Sequence, residues 1–351
     1  MAALAEPQIN GPHDDTSDTQ TARISIEEAT KVCQNALRKA GYSGDHAAII
    51  TDHLIDAEMR GHPFAGLARA LSIIDLLKSS DMKADKQIEV TRNGPTFAQL
   101  DGHDSAGYIV AREATRIAIE KAKAVGVSVV GAENFWYTGN LAYYAEMATK
   151  EDLVIFIASN GTPIVAPHGG YEPKFCTNPF CIGFPSGDST QPVIWDIGTS
   201  NIMYAQIKLA ERLGSDIPEG SAFDSDGNPT TEPLKALQGA LTVWGGHKGS
   251  GLAMMIQLLG IAAGSLEPVP FMSGFGFLVL AFDPGMLQPI DQVKQRADMF
   301  SNSIRQTKML PGESPARMPF ERSIKSRTEA REKGYITVPR RVIEQLQEQD
   351  L

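Results

Sequence analysis

The sequence predicts an α/β core with a helical subdomain at its N-terminus. Three observations support this fold class. Apolar residues recur at helical spacing through residues 24–78, and short apolar strands bounded by turn residues begin near residue 87. A strand–helix–strand unit then spans residues 127–158, and such a unit favours parallel pairing of its two strands.

Helices account for the first part of the chain. Ser25 followed by Glu28 is typical of a capping box and predicts a helix that starts directly after Ser25. Further helices are predicted over residues 45–60 and 65–78, with a loop at Pro63 between them, because proline disfavours helix at the preceding residue. We expect residues 1–22, which are rich in Asp, Pro, Thr and Gln, to be a disordered tail. Residues 23–82 are expected to form the helical subdomain.

Strands and helices alternate through the rest of the chain. Strands are predicted at residues 88–90, 96–100, 127–130, 153–158, 193–196 and 276–282, and helices at 108–125, 140–149 and 246–264. A loop is predicted at residues 102–107 and an edge strand at 334–338. We expect a discontinuous α/β domain of residues 83–132 and 284–351, and a second α/β domain of residues 133–283.

Composition argues against several classes of partner. The net charge of −10 argues against a nucleic-acid binder, which usually carries a basic face. No apolar run is long enough to span a membrane, and the N-terminus lacks a secretory signal. The three cysteines form neither a disulfide framework nor a zinc-binding pattern, so we expect no metal. These features predict a soluble protein of a reducing, cytoplasmic compartment.

The segment Gly245–Gly251 opens an apolar helix and contains Lys248. Its glycines let the backbone approach a ligand, and free amides at a helix start attract phosphate. The sequence therefore favours anion binding here, with a glycine-rich helix start and a surface lysine as the alternative. No Gly-x-Gly-x-x-Gly follows a strand and opens a helix, so the usual dinucleotide fingerprint is missing.

Two further segments carry unusual residues. Ala166–Gly170, which includes His168, is rich in turn residues, and it is either a ligand loop or a structural double turn. Asp196 ends a predicted strand, where ligands gather in open α/β sheets. Its carboxylate could bond a ribose or orient a catalytic group, or it could cap the next segment through Thr199 or Ser200.

Taken together, these segments resemble the malate/L-lactate dehydrogenase-like family, which lacks a Rossmann fold and includes sulfolactate dehydrogenase, ureidoglycolate dehydrogenase and piperideine-carboxylate reductase. The resemblance extends over about residues 24–338. The matching residues are Arg60-Gly61, Gly66, Arg69, Ala166–Gly170, Thr177–Pro179, Asp196, Thr199-Ser200, Asp224–Thr231, Gly245–Leu252 and Pro319–Arg322. The resemblance implies a three-layer α/β/α core with a mixed sheet, a homodimer, and a nicotinamide cofactor, NAD(P)H, in the domain of residues 133–283.

By position, the resemblance implies a set of cofactor contacts. They fall on Ser159, Asn160, Gly161, Asp196, Ile197, Gly198, Lys248, Gly249, Pro319, Phe320 and Glu321. From the same segments we add His168, Thr199 and His247. The contact group Pro319–Glu321 departs from the family pattern, because the family usually has glycine at the position of Phe320.

The chain also departs from the family at its chemistry. The family normally reads Arg-Gly-x-Asp-Ser-His-Gly, and its histidine exchanges the proton with the carbonyl oxygen. Here Phe64 and Ala65 stand in place of the serine and that histidine, and Tyr137 replaces a second family histidine. We therefore expect retained cofactor binding with altered proton transfer.

Three explanations are open. Tyr137 could supply the proton, or His62 could reach the site from three residues upstream. Alternatively, the substrate is an imine or iminium, which needs no proton on oxygen, and aromatic residues form its pocket. These pocket residues would be Phe64, Phe135 and Trp136, with Ala65, unless they are ordinary core.

The sequence thus predicts an NAD(P)H-dependent oxidoreductase that reduces a C=N or C=O bond next to a carboxylate of a small molecule. Arg69 would hold the carboxylate, because arginine grips carboxylates with two parallel hydrogen bonds. Arg60 completes the predicted catalytic set with Tyr137 and His62, although it could instead hold the loop. The alternatives are a cofactor-binding, non-redox enzyme of isomerase type and an inactive dimeric homologue.

Overall fold

The computed structural model describes residues 21–80 and 82–350. Most of the predicted disordered tail lies outside these residues. Its last two residues, Thr21 and Ala22, instead begin a short strand. Within the described residues, no helix is both long and apolar enough to cross a membrane.

Eleven helices and eleven strands make up this part of the chain. The strands are β1 (Thr21–Ser25), β2 (Glu89–Asn93), β3 (Phe97–Ala106), β4 (Val127–Trp136), β5 (Val154–Ser159), β6 (Phe180–Phe184), β7 (Val193–Ile197), β8 (Ala222–Phe223), β9 (Ala240–Leu241), β10 (Gly276–Phe282) and β11 (Tyr335–Pro339). The helices are α1 (Ile26–Lys39), α2 (Gly44–Met59), α3 (Leu67–Ser79), α4 (Gly107–Val125), α5 (Leu141–Thr149), α6 (Tyr204–Leu213), α7 (Pro233–Gln238), α8 (His247–Ala262), α9 (Ile290–Arg305), α10 (Glu321–Lys333) and α11 (Arg340–Asp350).

The central sheet has seven strands in the order β2-β3-β4-β10-β5-β6-β7. Only β3 and β4 pair in parallel, and every other neighbouring pair is antiparallel. The mixed sheet that the family resemblance implies is therefore confirmed. The predicted pairing of β4 with β5 is wrong, because β10 lies between them and pairs with both. β4 and β5 still run in the same direction.

Helices cover both faces of this sheet. Ile155 and Ile157 of β5 join the large core that contains residues of α4 and α5. The alternate residues, Phe156 and Ala158, pack with Ile256 of α8 on the other face. This alternation confirms the three-layer α/β/α arrangement.

The N-terminal helices join the same hydrophobic core rather than forming a separate one. Leu37, Leu54 and Ile73 of α1, α2 and α3 belong to the cluster that contains Ala114 of α4. The Ser25 side chain accepts a hydrogen bond from the Glu28 N–H at 3.1 Å, so the predicted helix cap is confirmed. The boundary expected between residues 132 and 133 falls inside β4, and one sheet takes strands from both sides of it.

The predicted loop at residues 102–107 is instead the end of β3 and the start of α4. The pairing of β3 with β4 shifts register between Asp101 and Ser105, and His103 and Asp104 have positive φ angles. Glycine and aspartate are common both in loops and in irregular strand ends, so the sequence predicts a loop at residues 102–107.

Candidate active site

A cavity of about 610 Å³ lies where several strands of the sheet end. β4, β5 and β7 run in the same direction, and residues at or directly after their carboxyl ends line the cavity. The opposite wall comes from the loop before α3, from α3 and α4, and from residues 317–323. Both the volume and the position are typical of a small-molecule site in an α/β protein.

Arg69 of α3 is the buried cation of this cavity. Arg69 lines the cavity and is only 7% exposed. Its Nη1 atom has no hydrogen-bond partner in the described part of the chain. Burial acts to lower the pKa of Arg69, but nearby tyrosines, Tyr137 first, leave it raised. The cavity thus contains a protonated guanidinium with an unused donor.

Tyr137 directly follows β4 and forms the part of the cavity wall next to Arg69. Its φ angle of 53° places it in the left-handed region, which turns the chain away from the strand. Its ring covers the Arg69 guanidinium, with 3.8 Å between the guanidinium carbon and the ring centroid. The structure therefore brings together two residues of the predicted catalytic set.

His62, Phe64 and Ala65 also line the cavity, on the turn between α2 and α3. Nε2 of His62 lies 3.3 Å from the Ser323 hydroxyl. Burial, followed by the charges of Arg322 and Arg60, lowers the pKa of His62 to about 4. A neutral imidazole at pH 7 is a poor proton donor, which weighs against His62 as the acid.

Asp196 lies at the end of β7 with one carboxylate oxygen 2.7 Å from the Ala142 N–H, at the start of α5. Burial raises the pKa of Asp196 to about 7, against the effect of the backbone donors and of Arg60. The Leu141 N–H also acts on this carboxyl group, and the residue lines the cavity. This carboxyl group can therefore hydrogen-bond a bound hydroxyl.

Arg60 lies outside the cavity lining. Its guanidinium forms ion pairs with Asp56 and with Glu146, and the Arg327 side chain contacts the same two carboxylates. Burial acts to raise the pKa of Glu146, but Arg327, Arg60 and Lys150 together lower it to about 2. Within this buried network Arg60 joins α2 to α5 and α10, which favours the alternative that it holds the structure together over a catalytic role.

Trp136 is likewise absent from the cavity lining. It is fully buried in β4, and its indole N–H donates to the Asp104 carbonyl at 2.9 Å. Phe135, on the same strand, is fully buried against Phe275 and Phe277. The alternation of side chains along the strand and the hydrogen bond to Asp104 make Trp136 a core residue, so the prediction that it lines a substrate pocket is corrected.

The predicted cofactor contacts divide into three groups. Seven of them line the cavity: Ser159, Asn160, Asp196, Ile197, Gly198, Pro319 and Phe320. Gly161, Thr199 and Glu321 adjoin these residues in sequence without lining the cavity. The remaining four, His168, His247, Lys248 and Gly249, lie in a separate cluster at the start of α8.

Two of the sequence segments meet at that cluster. The His168 N–H donates to the Ser250 hydroxyl at 3.2 Å, and the rings of His168 and His247 are 6.5 Å apart. His168, His247 and Lys248 are exposed to solvent. The segment that appeared most specific in sequence therefore lies on the surface beside the cavity.

Among the cavity residues that the sequence did not single out are Tyr108, Tyr204 and Arg317. Tyr108 and Tyr204 each lie in the first turn of a helix. Arg317 lies two residues before the matching segment Pro319–Arg322, whose last residue, Arg322, also lines the cavity although the sequence assigns it no role of its own. Closeness to that segment is a signal that could have indicated Arg317.

A sequence profile of the malate/L-lactate dehydrogenase family matches residues 24–347. The chain belongs to this family. It is 33% identical to malate/(S)-sulfolactate dehydrogenase of Methanothermus fervidus, over 93% of this chain and 96% of that protein. It is 30% identical to a Δ1-pyrroline-2-carboxylate/Δ1-piperideine-2-carboxylate reductase of Pseudomonas aeruginosa, over 90% of this chain and 96% of that protein.

Solved structures of this family have the same fold. Sulfolactate dehydrogenase of Methanocaldococcus jannaschii superposes with a TM-score of 0.82 at 30% identity, covering 93% of this chain and 96% of that one. For Δ1-piperideine-2-carboxylate reductase of Pseudomonas syringae the TM-score is 0.81 at 26% identity, covering 93% and 99%. As a member of this dehydrogenase and reductase family, the chain is an oxidoreductase, and the family implies a nicotinamide cofactor.

Proposed function

We propose that this oxidoreductase reduces a C=O or C=N bond next to a carboxylate, with NAD(P)H as the reductant. The observation that carries the proposal is the buried guanidinium of Arg69 at the cavity, which forms no ion pair with any carboxylate of the described residues and has an unused donor at Nη1. A buried charge without a partner is costly, so such a group indicates a ligand of opposite charge. Two relatives with carboxylate substrates in their names, one a malate dehydrogenase and the other a cyclic-imine reductase, agree with this substrate class.

The substrate carboxylate binds Arg69 and places the reacting carbon beside Tyr137. Tyr137 covers one face of the guanidinium, so the carboxylate meets the edge of the group, where the donors lie. The carbon next to a carboxylate held in this way lies close to the Tyr137 side chain. With a carbonyl substrate, the Tyr137 hydroxyl donates the proton to the oxygen.

Ala65 leaves no titratable group at the position of the family histidine, and His62 is neutral at pH 7. An iminium substrate needs no proton on the reacting atom. The aromatic walls of Tyr137 and Phe64 suit such a cation, because aromatic faces attract positive charge. We therefore include cyclic imino acids beside 2-oxo acids in the proposed substrate class.

The cavity also fits a nicotinamide cofactor. The carboxyl group of Asp196 lines the cavity and can accept a hydrogen bond from a ribose hydroxyl, because each carboxylate oxygen has two lone pairs. The exposed Arg317 and Arg322 offer positive charge to phosphates at the same cavity. Gly198 adjoins Met203 so closely that a Cβ would collide with its sulfur atom, so the backbone itself forms the wall there. The reduced cofactor supplies the hydride, and these residues bind and orient it.

A second copy of the chain covers the exposed face of α8 in this proposal. Met254, Met255, Leu258 and Ile261 form one helical stripe, with 38–56% of each residue exposed. The opposite side of α8 contains the buried residues Ala253 and Ile256, and Ile256 packs with Ala158 of β5. A large apolar stripe on a surface is typical of a subunit interface, which supports the homodimer.

Titration of the purified protein with NADH and NADPH, followed by cofactor fluorescence, tests the cofactor part of the proposal. Absorbance at the reduced-cofactor band then tests reduction of a panel of 2-oxo acids and cyclic imino acids. Lack of binding of both cofactors would overturn the dehydrogenase proposal. Binding without consumption across the whole panel would instead favour a non-redox or inactive homologue.

A further inference from the structure

Tyr108 lies beside Arg69 in the cavity, and its hydroxyl hydrogen has no acceptor among the described residues. It is the second residue of α4, it is 1% exposed, and it lines the cavity. The phenol oxygen can accept from the Arg69 guanidinium, but the hydroxyl donates to no group within residues 21–80 and 82–350. A buried hydroxyl left without a partner destabilises the folded protein by about 1–3 kcal/mol, so the arrangement points to a partner from outside the chain.

The packing around Tyr108 holds its ring in place. The His53 imidazole contacts the ring edge-on, with 4.9 Å between the two centroids. A Cβ at Gly139 would collide both with the Tyr108 ring and with Nε2 of His53, which shows how closely the backbone approaches. The ring therefore has no room to turn toward another acceptor.

The Tyr108 hydroxyl and the Arg69 guanidinium act on each other. Burial raises the pKa of Tyr108, and the nearby charge of Arg69 only partly opposes this effect. The phenol is thus a neutral donor at physiological pH, adjacent to a cationic donor. The guanidinium has no acceptor to offer, so the phenol hydrogen stays unused even where the phenol oxygen accepts from Arg69.

Two adjacent donors of this kind match one compact oxyanion. Because Tyr137 covers a face of the guanidinium, the ligand approaches along the plane of the group. A planar carboxylate satisfies that geometry with one oxygen on Arg69 and the other on Tyr108. A tetrahedral phosphate or sulfonate has a third oxygen, for which the stacked aromatic ring offers no donor.

We propose that Tyr108 is a specificity-determining residue whose hydroxyl donates a second hydrogen bond to the substrate carboxylate held by Arg69. This inference rests on the proposed function and extends it, because it makes a free planar carboxylate a requirement for binding. Esters and amides of the same acids are excluded, since they remove the negative charge that two buried donors demand.

The test compares Tyr108→Phe with wild type and with Tyr42→Phe. Tyr42 is the matched control, because its hydroxyl is also buried and unpartnered but the residue does not line the cavity. Calorimetry measures the binding of oxamate, of its neutral amide oxamide, and of inorganic phosphate. Tyr108→Phe is expected to weaken oxamate binding roughly tenfold or more, the effect of one hydrogen bond to a charged group. Tyr42→Phe is expected to leave it unchanged.

In turnover, Tyr108→Phe is expected to raise KM for the carboxylate substrate by a similar factor, with kcat within about twofold. Equal oxamate affinities in wild type and Tyr108→Phe would overturn the proposal, as would phosphate or oxamide binding as tightly as oxamate. A failure of the proposed function would look different: no substrate of the panel would consume reduced cofactor, while the anion-binding comparison would still be readable. Thermal melting checks that each variant is folded.

Discussion

The guanidinium carbon of Arg69 lies 3.8 Å from the centroid of the Tyr137 ring. This stack holds a buried arginine in place without an ion pair and leaves its donor edge free in the cavity. The residue proposed to bind the substrate carboxylate and the residue proposed to donate the proton are thus in direct contact. Several expectations follow from this contact and from the buried charges around it.

Replacement of Arg69 should weaken substrate binding without lowering the thermal stability of the protein. Arg69→Met keeps the apolar stem but removes the charge, so KM for a 2-oxo acid is expected to rise roughly 100-fold, the upper range for loss of a hydrogen bond between charged groups. Because the charge is buried and unpaired, Tm should stay the same or rise. Steady-state kinetics and thermal melting measure the two quantities.

Arg60→Met is the control for Arg69→Met. Arg60 pairs with Asp56 and Glu146, so its loss leaves Arg327 as the only arginine paired with these two buried carboxylates in the described structure, and Tm should fall. Equal losses of Tm in the two variants would contradict the distinction between an unpaired binding arginine and a structural one.

Tyr137→Phe should distinguish carbonyl substrates from imine substrates. The phenylalanine ring still covers Arg69, but it cannot donate a proton. We expect kcat for a 2-oxo acid to fall by about 100-fold, the usual contribution of a general acid, while kcat for a cyclic imino acid changes little. Unchanged turnover of both substrates would remove the Tyr137 hydroxyl from the mechanism.

The buried ion network should contribute strongly to stability. Glu146→Gln removes the carboxylate that both Arg60 and Arg327 contact, and we expect the free energy of unfolding to fall by about 3–5 kcal/mol. The exposed Glu113, paired with Arg116, is the control, and Glu113→Gln should cost less than about 1 kcal/mol. Urea denaturation measures both, and similar losses would argue against a cooperative buried network.

Glu58 should make stability depend on pH. Burial raises the pKa of Glu58 from 4.5 to about 8, against the hydrogen bond from the Leu67 N–H. Between these values the folded state keeps the proton and the unfolded state loses it. This contribution to stability is therefore present at low pH and is lost as pH rises toward 8, by about 1.4 kcal/mol per pH unit at most.

Glu58→Gln removes this titration and keeps an oxygen for the Leu67 N–H. The variant should therefore gain stability relative to wild type as pH rises from 5 to 8, as measured by urea unfolding across that range. Glu120→Gln, at a largely exposed side chain on α4, should show no such trend. Parallel pH profiles for wild type and Glu58→Gln would contradict the expectation.

The apolar stripe of α8 should control the oligomeric state. Leu258→Asp places a charge in the middle of this stripe, so we expect a dimer to dissociate into monomers in sedimentation velocity experiments. Leu287→Asp is the control, because Leu287 is 79% exposed and lies outside α8. A wild-type monomer, or a Leu258→Asp dimer of unchanged affinity, would contradict the proposed interface.

Local patterns in the sequence were sufficient for many elements of the fold. The predicted strand at residues 276–282 has the bounds observed for β10, and the Ser25 cap is present as predicted. Both features depend on residues close together in the chain. The position of β10 between β4 and β5 depends on pairing across more than a hundred residues, and no local pattern reports it.

The candidate site likewise depends partly on local sequence and partly on the packing of distant segments. Fold class and family membership follow from the sequence, and so does the prediction that Arg69, Tyr137 and Asp196 belong to the site. The structure places these three residues at one cavity. Only the tertiary structure places Tyr108 beside Arg69, removes Arg60 and Trp136 from the cavity, and separates Lys248 from it. The physical reason is that residue type and spacing determine local conformation, whereas a binding site depends on which side chains remain buried and unpaired once distant segments have packed together.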